Sequence, residues 1–514
     1  MPRVGSMTND PKSAKASVAA EEFVPAPPPH RVGALARQGV LWTFALIVVR
    51  HGIHLASTAV LARLLTPADY GLLAMTATLT ALFQVFSDMG LTWATVQRRE
   101  LTVGQISSLF WINAAVGLGL WLLCIASGPL LAWFYAEPRL SSIAALSGAS
   151  FLLGGIGAQP AALLRRDLNF RAIALAEASR TLVQAVVAVL LAMAGWRYWS
   201  LVVAGLLAEV VRVSVLFRAS GFRPRRPALA DDTVSLITFG GWMTATGLTS
   251  YASQTFDKVL VGKFWGADQL GYYSRAWFLM QLPAALASSA IAEVMTPALC
   301  AVQADRDRLG AAYRKGLQAN CLVGAPVAGG LVAAGGEFVR LVYGPRWSPV
   351  TPILRWLAVA SLFSHLYSSV GWLFLSVGKV RERFCFFLAK TLFTLGACWS
   401  VAKHGPVALA AVMATVTILI TPPALWLAHR SARLPVGPTW RAVRRPMLAT
   451  LAMLTTVLAV GSTAAHTGVE WLWVLGFKAL VGILVYGLLT RRQIGIILGA
   501  SQVGSVVKNL IRIA

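Results

Sequence analysis

The chain has 514 residues, 57% of them hydrophobic and only 13% charged, which leaves too little charge to cover a soluble globule of this length. Its formal net charge of +25 does not indicate a nucleic-acid binder, because the Lys and Arg residues gather in short segments between apolar runs. That is the positive-inside pattern of membrane proteins, so the expected fold class is an all-α integral membrane protein.

Residues 1–38 are polar at first and Pro-rich around Pro27-Pro28-Pro29. They lack an apolar core followed by a small-residue cleavage site, so they read as a disordered cytoplasmic tail and not as a signal peptide. A span needs about 20 apolar residues. On that criterion helices fall near 39–62, 70–91, 107–131, 141–163, 172–194 and 199–217, together an N-lobe over 39–217. A basic cytoplasmic linker covers 218–235 and contains Arg223-Pro224-Arg225-Arg226-Pro227. Spans near 236–260, 271–298, 317–340, 350–376, 382–402 and 406–427 form a C-lobe over 236–427. A basic cytoplasmic loop over 428–445 leads to a final pair near 446–465 and 469–489, and 490–514 forms a cytoplasmic tail.

Across these fourteen spans, about 30 Lys and Arg lie in the tails and even-numbered loops, against about 7 in the odd-numbered loops. Arg98-Arg99, Arg165-Arg166, Arg306 to Lys315, Lys379 to Arg383 and Arg430 to Arg445 share one side. Both termini are therefore expected in the cytoplasm. The outer connections are about a dozen residues or fewer, which places any activity inside the bilayer.

An internal repeat underlies the pattern. Leu61-Ala62-Arg63-Leu64-Leu65-Thr66-Pro67-Ala68-Asp69-Tyr70-Gly71 is echoed by Leu260-Val261-Gly262-Lys263-Phe264-Trp265-Gly266-Ala267-Asp268-Gln269-Leu270-Gly271, about 200 residues later. Val96-Gln97 and Asn113 likewise recur as Val302-Gln303 and Asn320. Six spans is an even number, so the two halves enter the membrane in the same direction, related by an axis along its normal. Pro67 or Gly266 breaks the preceding helix, and Ala-Asp caps the next with its carboxylate at the positive end of the dipole.

Leu61 to Gly71, Phe86-Ser87-Asp88-Met89-Gly90-Leu91, Val96-Gln97-Arg98-Arg99 and Leu164-Arg165-Arg166-Asp167-Leu168-Asn169-Phe170 resemble the Wzx-like polysaccharide transporter family. Phe239-Gly240, Asp257-Lys258 and Gly271-Tyr272-Tyr273-Ser274-Arg275-Ala276 do so in the second half, and the similarity covers about residues 35–430. The family belongs to the multidrug/oligosaccharidyl-lipid/polysaccharide superfamily, in which two six-helix lobes form a V-shaped cavity. The resemblance implies a flippase of the bacterial inner membrane. Its substrate would be undecaprenyl-diphosphate-linked oligosaccharide, moved by alternating access for lipopolysaccharide or exopolysaccharide synthesis. Membrane lipids, a polysaccharide polymerase and other assembly proteins are the expected partners; no nucleic acid, cofactor or metal is expected.

Charges at bilayer depth cost several kcal/mol and persist where they face a protein interior or a wet cavity. Glu177 with Arg180 and Glu209 with Arg212 are spaced i to i+3 and read as self-paired or snorkelling. Arg50 sits near the middle of the first span with His54 on the same face, and Lys390 lies near a midplane without a local acid. Both are expected to receive the substrate diphosphate, for which Arg offers a fixed fork of donors. A salt bridge from Arg50 to Asp88 is the plainer alternative. Lys258, Arg275 and Arg355 lie near outer ends, where cavity lining and snorkelling compete; Lys478, in the last helix pair, is weaker. Asp88, Glu293 or His54 could couple transport to an ion.

Trp133, Tyr135, Trp196, Trp199, Trp471 and Trp473 read as an interfacial belt. Gly154-Gly155 with Gly157, and Gly329-Gly330 with Gly335-Gly336, allow close packing or bending. The five scattered cysteines read as buried filler. Two rival functions remain: a multidrug exporter of the same superfamily, which should carry an excess of intramembrane acids, and a membrane glycosyltransferase or ligase, which should carry a large outer loop.

Overall fold

The computed structural model describes residues 49–87, 102–225, 233–465 and 470–499 together with Leu46 and Thr95. Side chains are described throughout these except at 233–246, 282–290, 292–293, 464–465, 494 and 496–499. The described part of helix α1 runs through 49–64. In the first half it is followed by α2 (Pro67–Ser87), α3 (Val103–Tyr135), α4 (Arg139–Arg166), α5 (Phe170–Met193) and α6 (Tyr198–Ser220). The second half contains α7 (Thr233–Ala301), α8 (Arg306–Val342), α9 (Val350–Ser376), α10 (Val380–Val401) and α11 (Pro406–Ala432), and the chain closes with α12 (Val436–Ala465) and α13 (Trp471–Gly499).

Eleven of these helices are long and apolar enough to cross a membrane; with the two limbs of α7 counted separately, the helices among the described residues number fourteen, the number of spans expected. Leu130, Leu190, Met193, Ile483 and Leu488 are each at least 60% exposed. Large apolar side chains turned outward from many helices are what a lipid-facing surface requires. The protein is a multi-pass, all-helical membrane protein.

Local chemistry starts and stops the helices. Thr66 is the N-cap of α2, and Asp69 accepts from the Thr66 backbone at 2.9 Å and its hydroxyl at 2.7 Å. Pro67 takes the first helical position, where no N–H is required. Thr102 and Gln105 form the equivalent box at the start of α3. The α3–α4 connection is residues 136–138 only, and Arg139, the first residue of α4, donates back to both Glu137 oxygens at 2.7 and 2.9 Å. That guanidinium holds the Glu137 carboxyl below the usual carboxylate range.

Two expectations about connections change. The stretch expected as a loop between 260 and 271 is helical except at Gly266, where φ is 75° and ψ is −173°. One glycine thus makes the entire bend between two limbs, a conformation that L-residues avoid. The basic loop expected over 428–445 is almost wholly helix: α11 ends at Ala432, Arg433 adopts the left-handed cap, and α12 begins at Val436. Arg441, Arg444 and Arg445 ride on the extension of α12, before Pro446. Apolar-run counting finds only the bilayer-crossing part of such a helix.

Small residues set the helix contacts, as expected in lipid, where apolar burial alone does not favour association. Gly117 and Gly155 pack α3 against α4, and a Cβ at Gly117 would stand 2.5 Å from the Phe151 carbonyl oxygen. Ala334 departs from helical geometry (φ −117°, ψ 16°) just before Gly335-Gly336. Close packing and bending are thus both realised, at different glycines. Asn113 and Asn320, paired by the repeat, are 1% and 0% exposed in α3 and α8.

The largest buried apolar cluster draws on both halves. It includes Leu61, Tyr70, Tyr135, Val261, Tyr273, Tyr343, Trp347 and Leu409, all gathered where α2 begins. Among the described residues no other apolar cluster joins the two halves: three lie within the first, and two join the second to α12 or α13. The two halves are therefore welded at the Pro67 end and separately cored toward the Arg165 end.

Candidate functional site

At the Pro67 end the two copies of the repeated motif meet. A Cβ added at Gly71 would overlap the Ala267 carbonyl, and one at Gly271 would overlap the Pro67 carbonyl. Each motif lays its glycine on the other's backbone. Around this crossing Trp347, 1% exposed, donates its indole N–H to the Ala62 carbonyl at 2.8 Å. Its ring packs against Tyr70, Tyr272 and Tyr343 with centroids 5.3–5.8 Å apart. Arg63 donates to the Leu341 carbonyl at 3.2 Å.

Beneath this seal lies a cavity of about 460 Å³ between α1, α2 and α5 of the first half and α7 of the second. His54, Lys258 and Arg275 line it along with Thr58, Thr78 and Gln184, and among the described residues no carboxylate contributes to its wall. Arg275 stacks over Tyr70 at 4.4 Å and Phe278 at 5.3 Å. His54 meets Phe278 edge-on at 4.9 Å. No carboxylate of the described residues pairs with Arg275, and its Nε lacks a hydrogen-bond partner among them. Aromatic faces hold the guanidinium without neutralising it.

Lys258 is held differently. Its Nζ donates to the Gln254 carbonyl at 2.5 Å, lies 4.5 Å over the Trp277 ring, and is 4.0 Å from an Asp257 oxygen. Asp257, 3% exposed, accepts from Tyr273 at 2.8 Å and Trp277 at 3.0 Å through Oδ2. Its Oδ1 has no hydrogen bond among the described residues. This carboxylate ties the two limbs of α7 together across the Gly266 bend.

The expected site residues separate. His54, Lys258 and Arg275 share the large cavity. Arg50, half-buried one turn from His54, does not line it. Lys390 lines a second cavity of about 150 Å³ within the second half, with Gln254, Ser361 and Thr417. There its Nζ sits 3.9 Å over the Tyr367 ring. The two cavities flank the same stretch of α7, which supplies Gln254 to one and Lys258 to the other. Arg355 is exposed on α9 and lines none of the described cavities. Asp88 lies outside the described residues, and with it the alternative Arg50 pair; Glu293 is on α7, its side chain outside them.

The discounted charges are engaged more widely than their helix spacing suggests. Arg212 reaches Glu209 at 2.8 Å and, across to α5, Glu177 at 3.3 Å, while Arg180 reaches Glu209 at 3.1 Å. Two arginines and two glutamates thus close into one interhelical cluster. Lys478, 6% exposed, pairs with Glu337 of α8 and fastens α13 to the second half. Tyr135, expected at an interface, is instead buried against Thr78 at 3.2 Å. The Trp347 lock escaped sequence reading, since nothing near it repeats; Tyr70, Tyr272 and Tyr273 lay in or beside the echoed motifs.

A family model described as "Polysaccharide biosynthesis protein" matches residues 60–352, more than half of the chain. The chain belongs to this family. Among its relatives, the lipopolysaccharide biosynthesis protein WzxC of Escherichia coli (strain K12) is 26% identical over 365 residues, covering 70% of this chain and 73% of its own. The succinoglycan biosynthesis transport protein ExoT of Rhizobium meliloti (strain 1021) is 25% identical, covering 82% and 85%. The lipid II flippase MurJ in an inward closed conformation superposes with a TM-score of 0.74 at 15% identity, covering 88% of this chain and all of that one. That likeness shows the shared transporter fold.

Proposed function

We propose that this chain translocates an undecaprenyl-diphosphate-linked oligosaccharide across the bacterial inner membrane by alternating access. The observation that carries the reading is the cavity between the halves, with Lys258, Arg275 and His54 in its wall and no carboxylate among the described residues that line it. A diphosphate entering the membrane interior needs fixed donors and compensating charge, and Arg275 offers an unneutralised fork. WzxC and ExoT, named for lipopolysaccharide biosynthesis and succinoglycan biosynthesis transport, support a saccharide precursor as cargo.

The positive-inside bias assigns the Arg165 end to the cytoplasm, with both termini there. The sealed Pro67 end is then periplasmic. Cargo enters between two lobes from the side where their cores are separate, and rocking about the Gly266 bend breaks the seal. The polyprenyl tail stays in lipid while the head group crosses. The protein acts as a transporter and not as an enzyme, and a polymerase receives the product. Arg50 and Lys390 serve as secondary cations along the route, and Asp88 or Glu293 remains the proposed coupling acid.

The multidrug reading fares worse on the same observation, because an organic cation would meet Arg275, which no described carboxylate neutralises, and Lys258, whose one described acidic neighbour, Asp257, stands outside the cavity lining. In cells whose surface polysaccharide depends on this chain, Lys258→Gln with Arg275→Gln abolishes the polymer at normal protein level. Full polymer from that double variant would overturn the assignment.

A further inference from the structure

The wall of α2 continues past the large cavity. Its last residue there is Ala81; one turn on, Gln84 and Ser87 line a separate cavity of about 260 Å³ wholly within the first half. Ser150 and Gly154 of α4 face them, Arg212 of α6 closes one side and Arg165 stands at the edge. This cavity differs from its neighbour in chemistry. Amide, hydroxyl and guanidinium groups are prominent in its lining, and Gly154 borders open space: a Cβ there would meet nothing within 4 Å, so a larger side chain would extend into the cavity.

The charges are unevenly committed. Arg212 is held by Glu177 and Glu209, and the cluster with Arg180 is neutral overall. Arg165 has no carboxylate partner among the described residues and is exposed. Among the described residues the cavity therefore presents an array of neutral hydrogen-bonding groups and one positive charge without a carboxylate partner. A hexopyranose occupies roughly six water volumes of about 30 Å³ each, so the space accommodates one sugar ring, with its open side leaving room for the rest of a repeat unit. Resting on the diphosphate reading above, we propose that this cavity is a sugar subsite that selects an oligosaccharide carrying a carboxylate, such as a uronic acid. The ring lies against Gly154, Gln84, Ser87 and Ser150 bond its hydroxyls, and Arg165 forks onto the carboxylate. The diphosphate, one step along α2, stays with Lys258 and Arg275. Dividing the head group between two sites places specificity in the first half and carrier recognition between the halves.

Binding to the full chain in lipid nanodiscs separates the two sites. The probes are undecaprenyl diphosphate alone, the same lipid bearing glucose, and the same lipid bearing glucuronic acid. The parent protein binds the glucuronic acid form about tenfold more tightly than the other two. Gly154→Leu fills the cavity, leaves affinity for the sugar-free lipid within about twofold, and removes the gain from the sugar. Arg165→Gln, at an exposed position where folding is not at stake, brings the glucuronic acid form down to the glucose form. Equal parent affinity for all three probes would overturn this inference while leaving the carrier site standing. So would a Gly154→Leu variant that loses the sugar-free lipid, since the cavity would then hold phosphate. A parent that binds none of the three contradicts the diphosphate reading itself.

Discussion

Gly71 and Gly271 occupy equivalent positions in the repeat, and each rests against the backbone of the other's motif, Gly71 on the Ala267 carbonyl and Gly271 on the Pro67 carbonyl. A methyl group at either has no side chain to push aside, only main chain. Gly71→Ala and Gly271→Ala should each destabilise the sealed arrangement by about 1–3 kcal/mol, the range for overpacking a filled contact. Thermal unfolding in detergent measures this, with Gly154→Ala as the control at an open position. Unchanged midpoints for both would mean that the motifs do not meet as described.

Trp347 should be the strongest single contributor to the seal. Replacing it with Ala removes a fully buried ring and leaves the Ala62 carbonyl without its donor, a loss of about 3–5 kcal/mol on large-to-small core precedents. In transport terms the seal opens more readily: a cysteine placed at Ser57, in the cavity wall, should react faster with an impermeant thiol reagent in Trp347→Ala than in the parent. Equal rates would remove the seal from the account.

Lys478 and Glu337 make a second, independent test. Removing Lys478 alone strands a carboxylate in a partly buried site, which typically costs about 3–5 kcal/mol. Lys478→Met combined with Glu337→Gln should recover most of that loss, because neither charge is then left without its partner. A double-mutant cycle in thermal unfolding gives the coupling. Additive effects would show that the pair does not hold α13 in place.

These tests mark what the sequence could and could not disclose. The spans were legible because each must supply its own apolar length, and the repeat was legible because both copies keep the Ala-Asp pair and the glycine that follows it, although the first turns through a capped break at Pro67 and the second through the bend at Gly266. Gly71 and Gly271 were in hand as letters, but not their contact, which depends on how the halves cross. Of the site residues, Lys258 and Arg275 lie near span ends and Arg50 and Lys390 near midplanes, yet it is the first two that line the cavity between the halves. Depth along a helix is readable from the sequence; the direction in which a wall faces is not. The Glu177–Arg180–Glu209–Arg212 cluster shows the same limit, since spacing on one helix reveals the local pairs and misses those across helices.

Asp257 links the site to the bend. Asp257→Ala removes the acceptor for Tyr273 and Trp277 and the acid that lies nearest Lys258 among the described residues. The two limbs of α7 should then move more freely, and Lys258 should lose its local counter-charge. We expect tighter binding of undecaprenyl diphosphate, by about tenfold, together with slower transport, because a cation freed for the substrate releases it less readily. Asp257→Asn keeps the acceptor but not the charge, so it should retain the tighter binding with a smaller loss of rate. Weaker binding in both variants would contradict this role.

The most direct measurement is binding of undecaprenyl diphosphate to the purified protein in nanodiscs, comparing the parent with Arg275→Gln, Lys258→Gln and Arg355→Gln. Loss of one charged hydrogen-bonding partner removes about 1.5–3 kcal/mol, so Arg275→Gln and Lys258→Gln should each weaken binding by at least tenfold, while the outward-facing Arg355→Gln should leave it unchanged. Equal affinity in all four proteins would contradict the cavity between the halves as the diphosphate site.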